Sequence, residues 1–147
     1  MSIWQRVLRI VGAMSTTAPR QISDADSLLR FALRADATLC AGVGLIIAMA
    51  VDPLSRMSGL SATSEWIAGA ALVGYGAALF LAAGLPDVRR LGVGVLAGNV
   101  VFAVVVTVVL VAGWLPLTEF GVVGTVAFTA ATVAFAYAQY LGVRRLT

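Results

Sequence analysis

"GVLAGNVVFAVVVTVVLVAGW", Gly94–Trp114, runs without a charge and holds one strongly polar side chain, Asn99. A helix crosses a bilayer in about 20 apolar residues, so this stretch is long enough on its own. Inside lipid only helices and closed barrels satisfy their backbone, and an apolar run without alternation reads as a helix. Working outward, three more segments have the same character. The chain therefore reads as all-α, a four-helix transmembrane bundle with spans at about 31–51, 66–85, 91–114 and 122–141.

The composition agrees: of 147 residues, 61% are apolar and only 12% charged, with a mean hydropathy of +0.99. Soluble domains carry about 25% charged residues to cover a wet surface. Four spans leave no room for a separate catalytic domain. Histidine is absent and every basic residue is arginine, which removes bis-histidine haem and most zinc and iron sites. With Cys40 as the one cysteine, neither an intramolecular disulfide nor a CxxC redox pair can form. No cofactor is expected. Serines recur at Ser55, Ser58, Ser61 and Ser64, but no Asp–His pair can activate one, so they read as a solvated loop with short helical turns. The net charge of +3 follows the arginine distribution across the membrane and does not indicate nucleic-acid binding.

That distribution sets the orientation. Four spans place both termini and the Pro86–Arg90 turn on one side, with Arg6, Arg9, Arg20, Arg30, Arg34, Arg89, Arg90, Arg144 and Arg145. The other side holds Arg56 beside Asp52, Glu65 and Glu119. The positive-inside rule then predicts N-in/C-in topology, both termini cytoplasmic. "MSIWQRVLRIVGAM" at the N-terminus lacks the 7–15-residue apolar core of a signal peptide. Read as a helix, it places Trp4, Val7, Leu8 and Val11 on one face with Arg6 and Arg9 off it, the pattern of an amphipathic interfacial helix. We divide the chain into an N-terminal arm and linker, residues 1–26, and the bundle, residues 27–147. At the start of the bundle Ser27 can cap a helix, and Asp26 and Arg30 are spaced to pair.

Small residues mark where membrane helices approach each other. Span 1 offers Ala37, Ala41, Gly44 and Ala48, and span 2 offers Ala70, Gly74 and Ala77. Span 3 has Gly94 and Gly98. Span 4 has Thr125, Thr129, Thr132, Ala136 and Gln139. Steps of four and three residues predict left-handed packing at roughly +20°.

At ~1.5 Å per residue, Asn99 lies roughly 13 Å beyond Arg90, Tyr75 and Thr132 about 18 Å in, and Gln139 about 8 Å in. These four form a candidate polar layer in the inner half of the bundle. Asn99 is expected to hydrogen-bond a neighbouring helix through Tyr75, Thr132, Gln139 or a carbonyl bared beside a glycine. The alternative is a small polar cavity that orients a ligand headgroup. Asp36 reads as a boundary charge at the start of span 1, stabilised by the helix dipole and paired with Arg89, Arg90, Arg144 or Arg145. On that reading the layer holds nothing ionisable and no proton relay. Cys40, one turn deeper, is expected to behave as an inert small hydrophobe.

"LRADATLCAGVG" leading into span 1, "GN" early in span 3 and "QYLGVRRL" at the end resemble uncharacterised four-span integral membrane proteins of high-GC bacteria. The resemblance covers Leu29 to Leu146. It implies a four-span fold in a bacterial cytoplasmic (inner) membrane and carries no activity. The absence of a catalytic constellation leads us to expect no enzyme. We expect an accessory or stabilising subunit, with membrane lipids and a larger membrane-protein complex or homo-oligomer as partners. The alternative is a self-assembled carrier, channel or small-ligand or lipid-binding bundle using the layer around Asn99.

Overall fold

Helices end where the chain loses a donor or needs a left-handed turn, and prolines and glycines punctuate this sequence accordingly. A computed structural model of the protein describes residues 24–146. Among the described residues are five helices: α1 (Asp24–Met49), α2 (Val51–Ser58), α3 (Ala62–Ala82), α4 (Val88–Val111) and α5 (Glu119–Arg144). Four of them, α1, α3, α4 and α5, are long and apolar enough to cross a membrane, and α4 is the most apolar. Of the arm and linker expected over residues 1–26, residues 24–26 belong to α1, and the rest, with the amphipathic helix, lies outside the described residues.

The local signals account for most boundaries. Residues 27–37, "SLLRFALRADA", run on into span 1 as one continuous helix, α1, which stops at Met49. Pro53 then falls in the first turn of α2, where a missing N–H costs nothing. Gly59 closes α2 with φ 86°, a left-handed conformation that a Cβ would strain, and returns its N–H to the Ser55 carbonyl. Ser61 caps α3 by accepting from the Ser64 N–H at 3.1 Å, one turn before the expected start. Thr118 caps α5 in the same way on Gly121 N–H at 3.2 Å.

α1 is the hub. It packs along most of α3, and it also touches α5 and, less extensively, α4, which pairs with α5. The α1–α3 seam is built on glycine. A Cβ at Gly44 would lie 2.6 Å from the Gly69 carbonyl oxygen, and one at Gly76 would lie 2.7 Å from the Ala41 amide. Ala41 and Gly44 therefore pack as expected. On α3, however, the buried positions are Gly69 and Gly76, while Ala70 and Gly74 face outward. The residue spacing alone admits either row of small residues, and the tertiary packing selects the Gly69–Gly76 row because two glycines allow closer backbone approach than an alanine row.

Two other rows of small residues are only partly used by contacts among the described residues. Gly94 and Gly98 of α4 are exposed with nothing packed on them; Gly92 makes the close contact instead. Leu29, fully buried, sits in a notch between Gly92 and Gly142, so a Cβ at either would come within 2.9 Å of it. On α5, Ala136 is buried as expected, but Thr125 and Thr129 are half-buried and turn their hydroxyls back to the Gly121 and Thr125 carbonyls of their own helix. They hold no neighbouring helix by a hydrogen bond. The apolar core lies toward the end where α1 begins and α5 ends: Leu29, Leu33, Ala37, Leu79, Ala83 and Val88.

The opposite end is closed by polar contacts. Ser58 is buried and donates to the carboxylate of Glu65, itself 6% exposed. The Thr118 hydroxyl donates to the Met57 carbonyl, and its N–H donates to the Ser58 carbonyl at 2.9 Å. The serine-rich segment thus has the short helical turns expected, with Ser61 and Ser64 exposed, but Ser58 is buried and docked on the α4–α5 loop. Only tertiary contact brings Glu65 and Thr118 to Ser58.

Candidate functional site

Above the apolar core, three helices converge on one carboxylate. Asp36 of α1 is 2% exposed, Asn99 of α4 is 6% exposed, and Gln139 of α5 is fully buried. The Asn99 side-chain amide donates to Asp36 Oδ2 at 2.9 Å, and the Gln139 amide donates to the same oxygen at 2.9 Å. The second N–H of Asn99 reaches Gln139 Oε1 at 3.2 Å. Cys40, one turn along α1, directs its thiol to Asp36 Oδ1 at 3.6 Å.

A carboxylate only accepts hydrogen bonds when ionised, and each carboxamide has one donating and one accepting end. Both amides turn their donating ends to Asp36, and Asn99 also serves Gln139. Within the described residues no buried side-chain nitrogen or oxygen of the node is left without a partner. An aspartate near the centre of a membrane helix costs about 2.5–3.5 kcal/mol on insertion scales. Two amide donors and a thiol around the carboxyl group offset that cost, and the contacts tie α1, α4 and α5 into one register.

Of the four residues expected in the polar layer, the structure brings together Asn99 and Gln139. Thr132 is buried but donates to the Phe128 carbonyl of its own helix at 3.0 Å. Tyr75 is 42% exposed and makes no hydrogen bond to the node. The member that sequence reasoning missed is Asp36. The expected boundary ion pair of Asp36 with Arg89, Arg90, Arg144 or Arg145 is not formed; its partners are Asn99, Gln139 and Cys40. Arg90 pairs instead with Asp87 at 3.1 Å on an exposed turn.

The reason is the length of α1. Arg30, four residues after Asp26, pairs with it at 3.0 Å and donates to the Ala83 and Leu85 carbonyls at 2.7 and 2.9 Å. Arg30 therefore stands level with the end of α3 and caps it. Asp36 lies six residues farther along the same helix, about 9 Å deeper. Helical spacing could have shown this: Leu29, Leu33, Asp36 and Cys40 step by four, three and four residues, so Asp36 shares the buried stripe while Arg30 and Arg34 do not.

Chemically the node is a closed, fully bonded acceptor site. Asp36, Asn99 and Gln139 hold one another, and two open grooves of the protein lie elsewhere, between α4 and α5 and between α1 and α3. No family model matches this chain, and neither does any curated protein or solved structure.

Proposed function

We propose that this chain is a non-catalytic, multi-pass subunit of a bacterial cytoplasmic membrane, with both termini cytoplasmic, that binds a larger membrane-protein complex through α4. The observation that carries this reading is the outward face of α4. Only 6% of its apolar window is buried within the chain, the smallest share among the four long helices, and Gly94 and Gly98 on it have nothing within 4 Å. Small residues at such spacing let two membrane helices approach closely, and no helix among the described residues uses them here. The Asp36–Asn99–Gln139 node fits the same reading as the lock that holds α4 in place for a partner.

A photocrosslinking residue at Gly98, combined with purification in mild detergent at native abundance, tests it. The expected result is a stoichiometric covalent adduct with one larger membrane protein, lost from co-purification when Gly94 and Gly98 are replaced by Leu. Adducts with lipid alone, or with a second copy of this chain alone, would overturn the accessory-subunit reading.

One observation favours a second reading. The carboxyl group of Asp36 lies within the apolar length of α1, and ionisable groups at such depth commonly serve ion or proton movement. On this reading the bundle is a self-assembled carrier, and Asp36→Asn would abolish cation or proton flux into proteoliposomes while leaving assembly intact.

A further inference from the structure

Along the outer edge of the α1–α3 seam runs an open groove of about 550 Å³. Its floor is small and apolar: Ala37, Ala41 and Gly42 from α1, and Gly76 and Ala77 from α3. Gly42 has nothing within 4 Å, so the groove is open space where a side chain would otherwise stand. Thr38 lines it too, but its hydroxyl donates to the Arg34 carbonyl at 2.8 Å, which leaves the wall without a free donor.

Arg34 stands one turn from Thr38 at the end of the groove nearer the termini. Its guanidinium lies 5.7 Å from the centre of the Phe80 ring, itself a groove residue. Such stacking holds an arginine in place without neutralising it. Neither of the two ion pairs among the described residues includes Arg34: Asp26 takes Arg30, and Asp87 takes Arg90. Asp36, two residues on, points into the core. Among the described residues Arg34 is thus an exposed, oriented cation without an ion-pair partner, standing at the end of an apolar groove.

We propose that this groove is a binding site for an anionic phospholipid, with its phosphate on Arg34 and one acyl chain lying over Gly42 between α1 and α3. Charge and depth select this occupant. Arg34 is four residues past Arg30, the cap of α3, so about 6 Å inside the end of the helix. From there a long arginine side chain reaches back to the phosphate level if these helices cross a bilayer, and the leaflet facing arginine-rich ends is the one rich in anionic lipid. A partner helix would need polar or small groups against Gly42 and an acid against Arg34, whereas one lipid supplies the anion and the apolar chain together. The site does not involve the Gly94–Gly98 face of α4, so it stands or falls separately from the accessory-subunit reading.

The test is native mass spectrometry of the full chain in mild detergent, titrated with phosphatidylglycerol and, separately, phosphatidylcholine of the same chains. We expect one phosphatidylglycerol retained per protein, and Arg34→Gln to weaken its binding about fivefold toward the level of phosphatidylcholine. Gly42→Leu, which fills open space and should leave the fold intact, is expected to weaken both lipids. Arg145→Gln, exposed and remote in sequence, is the control and should change neither. Equal binding of the two lipids by the wild type, or an Arg34→Gln variant that still prefers phosphatidylglycerol, would overturn the proposal. So would a photoprobe at Thr38 that captures a protein helix in place of lipid.

Discussion

Asn99 Nδ2 lies 2.9 Å from Asp36 Oδ2 across 63 positions of sequence, and both residues are buried. The asparagine that interrupts the most apolar helix therefore serves a carboxylate from another helix. Gln139 completes the arrangement on the same oxygen. The first consequence is an asymmetry between single and multiple substitutions. Asp36→Ala leaves two buried amides without their acceptor and should lower stability by about 1–3 kcal/mol. Asn99→Leu alone should cost less, in keeping with membrane hydrogen bonds that average about 0.6 kcal/mol. Replacing Asp36, Asn99 and Gln139 together by Leu or Met should recover much of the loss, because no polar group is then stranded. Unfolding in detergent followed by circular dichroism measures all of these, and a triple variant less stable than Asp36→Ala would contradict the account.

The α1–α3 seam predicts a sharp contrast between neighbouring glycines. Gly76→Leu drives its side chain into the α1 backbone near Ala37 and Ala41, so overpacking should cost about 1–3 kcal/mol or separate the pair. Gly74→Leu, two residues away with open space around it, should leave melting unchanged. If the two variants melted alike, the seam would run along the other row.

Arg30 acts as a cap on a helix to which it is not joined. Its guanidinium serves the carbonyls of Ala83 and Leu85 at the end of α3, where acceptors lack intrahelical partners. Arg30→Gln should cost about 1 kcal/mol, reduced from the usual charged-bond value because the side chain is partly wet. Amide hydrogen exchange should quicken in the 83–87 turn. Arg90→Gln should not change stability measurably, since both its partner Asp87 and Arg90 itself are exposed.

At the far end, Ser58 links two loops through its side chain and its carbonyl. Ser58→Ala removes the donor to buried Glu65 and should raise hydrogen exchange at Leu60 and in the following turn, because the Leu60 N–H donates to the Ser58 hydroxyl oxygen at 3.1 Å. The stability loss should be about 1–3 kcal/mol, the cost of an unsatisfied buried group. Adding Glu65→Leu in the same chain should restore much of it. Unchanged exchange at Leu60 would show that the two loops are held by backbone contacts alone.

Gly59 is held at φ 86° beside the Pro116–Thr118 backbone. Gly59→Ala should cost about 1–2 kcal/mol from the left-handed conformation, before any clash is counted. An unperturbed melting point would mean that the α2–α3 turn can relax into another shape.

Composition and periodicity by themselves determined the number of long apolar helices, their approximate limits, the Asp26–Arg30 pair and the participation of Asn99 and Gln139 in one polar layer. These depend on local quantities: residue hydropathy, capping chemistry and distance along a helix. The tertiary structure decided what such quantities leave degenerate. Ala70–Gly74 and Gly69–Gly76 are equally good rows of small residues until α1 approaches one of them. Asp36 could belong to the headgroup boundary or to the core, because its place depends on how far α1 slides past α3, and the Arg30 contact with Ala83 and Leu85 sets that slide. Once it is set, the carboxylate lies level with Asn99 and Gln139, and a residue that reads as a surface charge becomes the centre of the polar node.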